Sequence, residues 1–429
     1  MGRTKLSTPK RGHESRVGRA GWYSYYAGFS STFAAQVVAN AIARPECRVL
    51  DPWNGSGTTT RAAQNLGVQG LGYDINPVMV IVAKARTLGN SVSPSIPSLL
   101  EEVLTDGSSP PITNAAEPLE LWLTTKSAIH FRSLERRIHS LFVSFHGYQP
   151  LAQLASLRAV SALAAFFYVA LFRCTRKTLI SFRASNPTWI KAAADESERI
   201  EVGGDELAHL YRNEVMGMLA AIRAEGESHD GPPPILDIAA SHALPVSDSS
   251  IDVVVTSPPY CTRIDYVVKT SPELALLGAT EEWSRALRDQ MIGTPTITPH
   301  QPVADQSWGA TCTELLAKVY HHTSRASKSY YWKTHLQYFD GLFRSISEID
   351  RTLKPGGECI MVLQDSYYKD VRIDLAQIVV EMASSMSLRC DHRTDFPTKQ
   401  SLVGINSKAR SYDRPGCATE TVISFEKVV

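Results

Sequence analysis

The chain has 429 residues, 43% of them hydrophobic, which allows one elaborated catalytic domain or a domain with a large second lobe, and its formal charge of +1 leaves any contact with nucleic acid to local patches. Its seven cysteines, at 47, 174, 261, 312, 359, 390 and 417, form neither a CxxC pair nor an even framework, which argues against structural zinc and for a reducing compartment. No signal-peptide pattern lies near Met1, and the most apolar stretch, 151 to 172, is broken by Gln153, Ser156, Arg158 and Ser161, so a soluble, cytoplasmic protein without a membrane partner is expected.

In chain order, residues 1–20 carry Arg3, Lys5, Lys10, Arg11, Arg16 and Arg19 against Glu14 alone, either a solvated tail or a phosphate-contacting arm. Phe33, Val37, Val38, Ala41 and Ile42 keep helical spacing, with Ser30 or Ser31 as the cap. Arg48-Val-Leu-Asp-Pro-Trp-Asn-Gly-Ser-Gly-Thr-Thr-Thr60 is a strand and a glycine-rich turn opening a helix over 61–66, the arrangement by which backbone approaches a nucleoside closely. The next strand, from Gly70, ends in Asp74 about twenty residues on, where a doubly wound sheet places the acid that binds ribose hydroxyls. Pro77 then starts a helix over 78–85.

Residues 90–115, rich in Ser, Pro and Thr, read as a linker before a helical insertion over 117–223. Between Leu121 and Lys191 stand ten basic residues (Lys126, Arg132, Arg136, Arg137, Arg158, Arg173, Arg176, Lys177, Arg183 and Lys191) and one acid, Glu135. With Phe131, Phe182 and Trp189 interleaved, that excess points to DNA contact more than to a merely solvated face. Pro187 breaks the helical pattern of 182–190, which is either a structural turn or a loop reaching toward a groove.

Gly231-Pro-Pro-Pro234 precedes a short strand over 235–238. The β-branched run from Ile251 is a buried parallel strand, stopped by Ser257-Pro-Pro-Tyr260. A strand's carboxyl end is where open α/β sheets bind ligands, and the tetrapeptide would present one hydroxyl, rigid carbonyls and one aromatic face, groups suited to a planar amine. Alone it also reads as a rigid turn; the glycine turn and Asp74 make a shared site the better reading. Residues 279–330 lack a clear period, and His300, His321 and His322, with Arg325 and Lys328, read as surface or lid residues rather than a metal site. A helix over 338–353, a turn at 354–357, a buried strand over 358–364 and a helix over 374–385 follow. The alternating 421–427 is expected as the closing edge strand, and Lys399, Lys408, Arg410 and Arg414 as another basic edge.

Together these motifs resemble the amino-type DNA methyltransferases that use S-adenosylmethionine. Asp51-Pro-Trp-Asn-Gly-Ser-Gly-Thr-Thr59 is similar to their cofactor loop, with Trp53 where Phe is usual, and Ser257-Pro-Pro-Tyr260 to their catalytic tetrapeptide. Tyr25-Tyr-Ala-Gly-Phe-Ser30 resembles the motif packed over the methionine part, and Ser257 to Tyr266 with Glu273 to Gly278 resembles one branch of the family. The resemblance implies an α/β fold, a Rossmann-like class I methyltransferase sheet with a largely helical insertion. The catalytic domain would comprise 21–90 and 231–429, and 91–230 would serve target recognition, with 1–20 a basic tail. S-adenosylmethionine would be held by Tyr26, Phe29, Asp51, Pro52, Trp53, Gly55, Gly57, Thr58, Asp74, Ile75, Asp237 at the adenine amine, and Ser257.

Ser257, Pro258, Pro259 and Tyr260 would act on a flipped base in double-stranded DNA, with Arg136, Arg137, Arg176, Lys177, Arg183, Asn186, Trp189 and Arg263 contacting the duplex. In the family, Ser at the first tetrapeptide position goes mainly with cytosine and Asp with adenine, so cytosine N4 is the expected target and adenine N6 the alternative. An RNA base methyltransferase is a second alternative, although no appended RNA-binding module is evident. Cys261 is better read as an ordinary thiol than as a carbon-5 nucleophile. The setting implied is restriction-modification or related host and phage defence, with a cognate restriction endonuclease and a monomer or homodimer left open.

Overall fold

The computed structural model describes residues 6–12, 17–24, 28–42, 44, 46–105, 117–144, 147–184, 189–226, 231–261, 265–299, 301–398 and 418–428. Short runs of β-branched and aliphatic residues give the central strands: β1 (Arg48–Asp51), β2 (Gln69–Asp74), β3 (Ile235–Ile238), β4 (Ile251–Thr256) and β5 (Leu353–Gln364). They lie in the order β3-β2-β1-β4-β5, all parallel, which is the doubly wound, Rossmann-like α/β arrangement. After a small hairpin, β6 (Ser366–Tyr368) with β7 (Val371–Ile373), the sheet is completed by β8 (Leu388–Thr398) and β9 (Ala418–Lys427). β9 runs antiparallel between β5 and β8.

Both faces are covered, which is why β4 is apolar at consecutive positions rather than at alternate ones. Val253 and Val255 pack with Val49, Ile360 and Val362 under α1 (Ser31–Ala41) and α2 (Thr58–Asn65). Val254, on the other face, packs with Leu50, Cys359 and Met361 under three later helices, α11 (Ala310–His321), α12 (Trp332–Thr352) and α13 (Leu375–Ser384). Ser30 caps α1 by accepting the Phe33 N–H at 3.1 Å. Asn76 caps α3 (Pro77–Arg86).

The helical insertion consists of α4 (Ile96–Leu104), α5 (Thr125–Phe142), α6 (Ala162–Thr178) and α7 (Gly204–Glu225), and it shares a third hydrophobic cluster with α3. After β4 come α8 (Tyr266–Lys269), α9 (Ser271–Leu276) and α10 (Glu281–Gln290). Arg132, buried in α5, pairs with Glu117 and Glu135 and donates to the Ala275 and Leu276 carbonyls at 2.8 and 2.6 Å, so the insertion is bolted to the segment that follows the tetrapeptide. No described helix is long and apolar enough to cross a membrane.

Several expectations are corrected. Within 90–115, α4 is an ordered helix, because Ile96, Leu100 and Val103 share one helical face and bury it, with Pro97 tolerated in the first turn. The strand 421–427 is interior, with Thr421 to Phe425 buried. The edge is β8, whose many charged residues (Arg389, Asp391, Arg393, Asp395) suit a strand with an open side. Lys354 to Gly357 form a bulge inside β5, with Gly356 at φ +75°, and 279–330 contain α10 and α11. In the basic N-terminal segment Arg19 is buried, its main-chain N–H on Glu225 at 2.6 Å and its guanidinium on Asn90 at 2.7 Å.

Candidate functional site

The turns leaving β1, β2 and β4 meet at one end of the sheet. The glycine turn is built from inside: Asn54 donates its N–H to the Tyr73 carbonyl at 2.9 Å and lays its side chain on Gly72, where a Cβ would come within 2.4 Å of Asn54 Cγ. Gly57 has φ +81°, and a Cβ there would lie 2.9 Å from the Ala83 methyl, so glycine alone lets α2 start this close to α3.

Asp51 accepts the hydroxyls of Thr59 and Thr256 at 2.7 and 2.6 Å and the Trp53 N–H at 3.1 Å. It is a buried joint between β1, α2 and β4, and burial pushes its carboxyl up to about 6. Asp74 accepts the Gly55 N–H at 3.0 Å on one oxygen and the Asn76 N–H at 2.9 Å on the other. Burial raises its carboxyl to about 6 as well, with the Asp51 charge adding a little. Each of its oxygens keeps a second lone pair for a ligand hydroxyl.

Between these turns lies a cleft of about 910 Å³, open to solvent. Pro52 and Trp53 line it from the glycine turn, Asp74 to Asn76 from β2, Ala239 to His242 from beyond β3, and Ser257 to Tyr260 from beyond β4. Tyr23, Met79, Tyr266, Lys269, Thr270 and Gln290 to Ile292 close it. Tyr338, buried in α12, donates its hydroxyl to the Pro259 carbonyl at 2.7 Å and fixes the tetrapeptide, while no donor among the described residues reaches the Pro258 carbonyl.

The expected site residues therefore divide. Pro52, Trp53, Asp74, Ile75 and the four residues from Ser257 to Tyr260 share one cleft; Asp51, Gly55, Gly57 and Thr58 shape its wall without lining it. Phe29 packs edge-on to Phe33 at 5.5 Å inside the α1 core, and Tyr26 lies outside the described residues. Asp237 does not face the cleft either. Its carboxylate takes the Ser156 hydroxyl and Leu157 N–H, both at 2.7 Å, and Arg158 Nε at 3.0 Å, which anchors the insertion to β3.

Of the expected DNA contacts, Arg176 pairs with Glu273, Lys177 with Glu214 and Arg137 with Glu102, and Arg136 stacks over Tyr148 at 4.7 Å. The local charge count overstated the free charge because Glu102, Glu214 and Glu273 lie outside the counted window. Arg183 and Trp189 are exposed at the antiparallel Arg183–Ile190 bridge, with Lys191 exposed beside them. Asn186 and Arg263 lie outside the described residues, as do His300 and the basic residues from Lys399 to Arg414. Sequence reasoning missed Tyr23, Met79, Lys269 and Thr270. Tyr23 stood two residues from a quoted motif, but nothing local marks the other three.

No family model matches the chain. It is 25% identical over 299 residues to the type II methyltransferase M.BsoBI of Geobacillus stearothermophilus, covering 63% of this chain and 55% of that one, so the chain spans about half the length of that relative. It is 22% identical over 415 residues to the type II methyltransferase M.AvaI of a Nostoc strain, covering 88% of this chain and 80% of the other. Among solved structures, a SAM-dependent methyltransferase from Methanosarcina mazei overlaps 92% of this chain and 97% of its own, at 9% identity and a TM-score of 0.31, a likeness too slight to argue from.

Proposed function

We propose that this chain is an S-adenosylmethionine-dependent methyltransferase acting on the N4 amine of cytosine in double-stranded DNA. The observation that carries the reading is the single cleft joining the Asp74 turn to Ser257-Pro-Pro-Tyr260 across adjacent strand ends. The residues suit the cofactor. Asp74 offers a half-buried carboxylate with lone pairs to spare for ribose hydroxyls, and Trp53, Ile75 and Tyr23 supply apolar walls. When bound, S-adenosylmethionine supplies an electrophilic methyl on a sulfonium.

The target amine is a weak nucleophile, since its lone pair is delocalised into the base ring. Ser257 Oγ and the Pro258 carbonyl accept hydrogen bonds from its two N–H groups and favour a pyramidal nitrogen with the lone pair directed at the methyl; as the N–C bond replaces the carbon–sulfur bond, the nitrogen gives up one proton to solvent in the open cleft. Tyr260 stacks on the flipped base, and Tyr338 keeps the turn from yielding. Duplex contact falls to Arg183, Trp189 and Lys191, an exposed aromatic between two cations along the chain. The type II names of the relatives fit a role in restriction-modification.

Transfer of tritiated methyl from S-adenosylmethionine to unmodified duplex DNA, RNA and protein tests the reading. Incorporation into DNA that Ser257→Ala lowers by roughly a hundred-fold or more is the expected result. Incorporation into RNA alone, or into none of the three, contradicts it.

A further inference from the structure

Unpaired positive charge at the ligand end of the sheet lies on a different element from the basic stretch of the insertion. Residues 315–339 contain no acid, and they carry Lys318, Arg325, Lys328, Lys333 and three histidines. Lys318 is met by Glu314 at 3.8 Å and His322 by Asp370 at 2.8 Å. Arg325, Lys328 and Lys333 have no acidic partner among the described residues, in contrast to Arg137, Arg176 and Lys177 of the insertion. Arg325 and Lys328 are exposed, and Lys333 is half-buried.

These cations stand on a braced base. A π turn, Ser327–Tyr331, leads into α12, and Lys328 lies over the Tyr320 ring at 4.9 Å, which in turn meets Trp332 edge-on at 5.5 Å. The Ser327 hydroxyl donates to the Ser324 carbonyl at 2.6 Å and meets the hydroxyl of the buried Tyr368 at 2.7 Å, which ties the turn to the β6–β7 hairpin. A backbone held this way gives up little freedom when a ligand arrives. The turn also stands beside the tetrapeptide. α12 leads directly into β5, which is parallel to β4, so the first residues of α12 lie at the end of the sheet where β4 releases Ser257. Tyr338, which bonds the Pro259 carbonyl, is on the second turn of α12, about 10 Å along the axis from Tyr331. Tyr330 donates to the Pro295 carbonyl at 2.8 Å, on the segment whose Met291 and Ile292 line the cleft. Duplex DNA carries about one negative charge per 1.7 Å of axis, so a duplex with a base turned into the cleft lays phosphates across ground this close to it.

We infer that the turn over 324–331 grips the backbone of the DNA substrate on the α12 side of the cleft, with Arg325 and Lys328 against phosphates and Lys333 adding to their field. This rests on the substrate of the cleft being duplex DNA. The grip fixes where the duplex sits and reads no base, which is the part that phosphate contacts play. It is additional to the contact at Arg183, Trp189 and Lys191.

Binding of unmodified duplex DNA over a range of salt, followed by fluorescence anisotropy, tests this on the wild type, on Arg325→Gln and on Arg325→Gln with Lys328→Gln. The slope of log affinity against log salt should drop by roughly one in the single variant and roughly two in the double, whatever the duplex sequence. In single-turnover methyl transfer the DNA concentration for half-saturation should rise by more than the maximal rate falls. Affinity for S-adenosylmethionine should match the wild type in both variants. Arg325 has no partner to lose among the described residues, so Arg325→Gln should also melt with the wild type, and it decides the matter even if the double variant does not fold. If the wild type binds duplex DNA and the variants keep its salt slope, the proposal is overturned and the reading of the cleft stands. If the wild type binds RNA and not duplex DNA, or neither, the DNA reading falls and this surface with it.

Discussion

Asp74→Asn probes the cofactor reading with the least disturbance of the fold. In the free protein the Asp74 carboxyl is raised from 3.8 to about 6 by burial, so keeping it ionised at neutral pH costs about 3 kcal/mol. Asparagine removes that cost. The bonds from Gly55 and Asn76 are already included in it, and asparagine, like the protonated acid, accepts at one end only, so the variant should melt no lower than the wild type. Affinity for S-adenosylmethionine behaves differently: replacing a charged acceptor of the ribose hydroxyls should cost about 1.5–3 kcal/mol, a weakening of roughly ten- to hundred-fold. Calorimetric titration alongside thermal melting reads both. A melting temperature no lower than that of the wild type together with an affinity within two-fold of it would refute the assignment of Asp74.

The same carboxyl predicts two opposed pH effects. Cofactor affinity should fall as pH drops through about 6 and Asp74 is protonated, whereas the raised folded-state value gives the ligand-free protein stability that is complete below 3.8 and lost as pH rises through about 6; a flat affinity between pH 5 and 8 would count against the role. Gly57→Ala, at φ +81° and 2.9 Å from the Ala83 methyl, should cost about 1–3 kcal/mol and show as a lower melting temperature. Ser257→Ala should lower kcat by roughly a hundred-fold or more with cofactor affinity nearly unchanged, measured by single-turnover transfer to DNA. Charge reversal at both Arg183 and Lys191 should weaken duplex binding and lower its salt slope by roughly two without changing stability. Reversal at Arg176, which pairs with the buried Glu273, should instead destabilise the fold by about 3–5 kcal/mol.

What was legible in the sequence was what local chemistry dictates. The β-branched run from Ile251 could be stopped only by the prolines that follow it, the glycine turn needed positive φ at 55 and 57, and Ser30 and Pro77 marked helix starts. These marked the sheet's ligand end and the turns leaving β1, β2 and β4. Long-range pairing was not legible. The ten-to-one basic excess of 121–191 is largely met by Glu102, Glu117, Glu214, Glu273 and Asp237, acids that lie outside that stretch. Asp237 stood at the right strand end for a ligand acid, yet the insertion's turn at Ser156 to Arg158 claims it, a contact across about eighty residues that no pattern announces. β9 likewise looked like an edge strand because its alternation says nothing of whether a further strand pairs outside it.

The methylated base in the reaction product distinguishes these outcomes. Duplex DNA incubated with the chain and S-adenosylmethionine, digested to nucleosides and read by mass against standards, should contain N4-methylcytosine. Methyladenine alone would contradict the base assignment and leave the cofactor site standing, and no methylated base on varied duplex substrates would contradict the account as a whole.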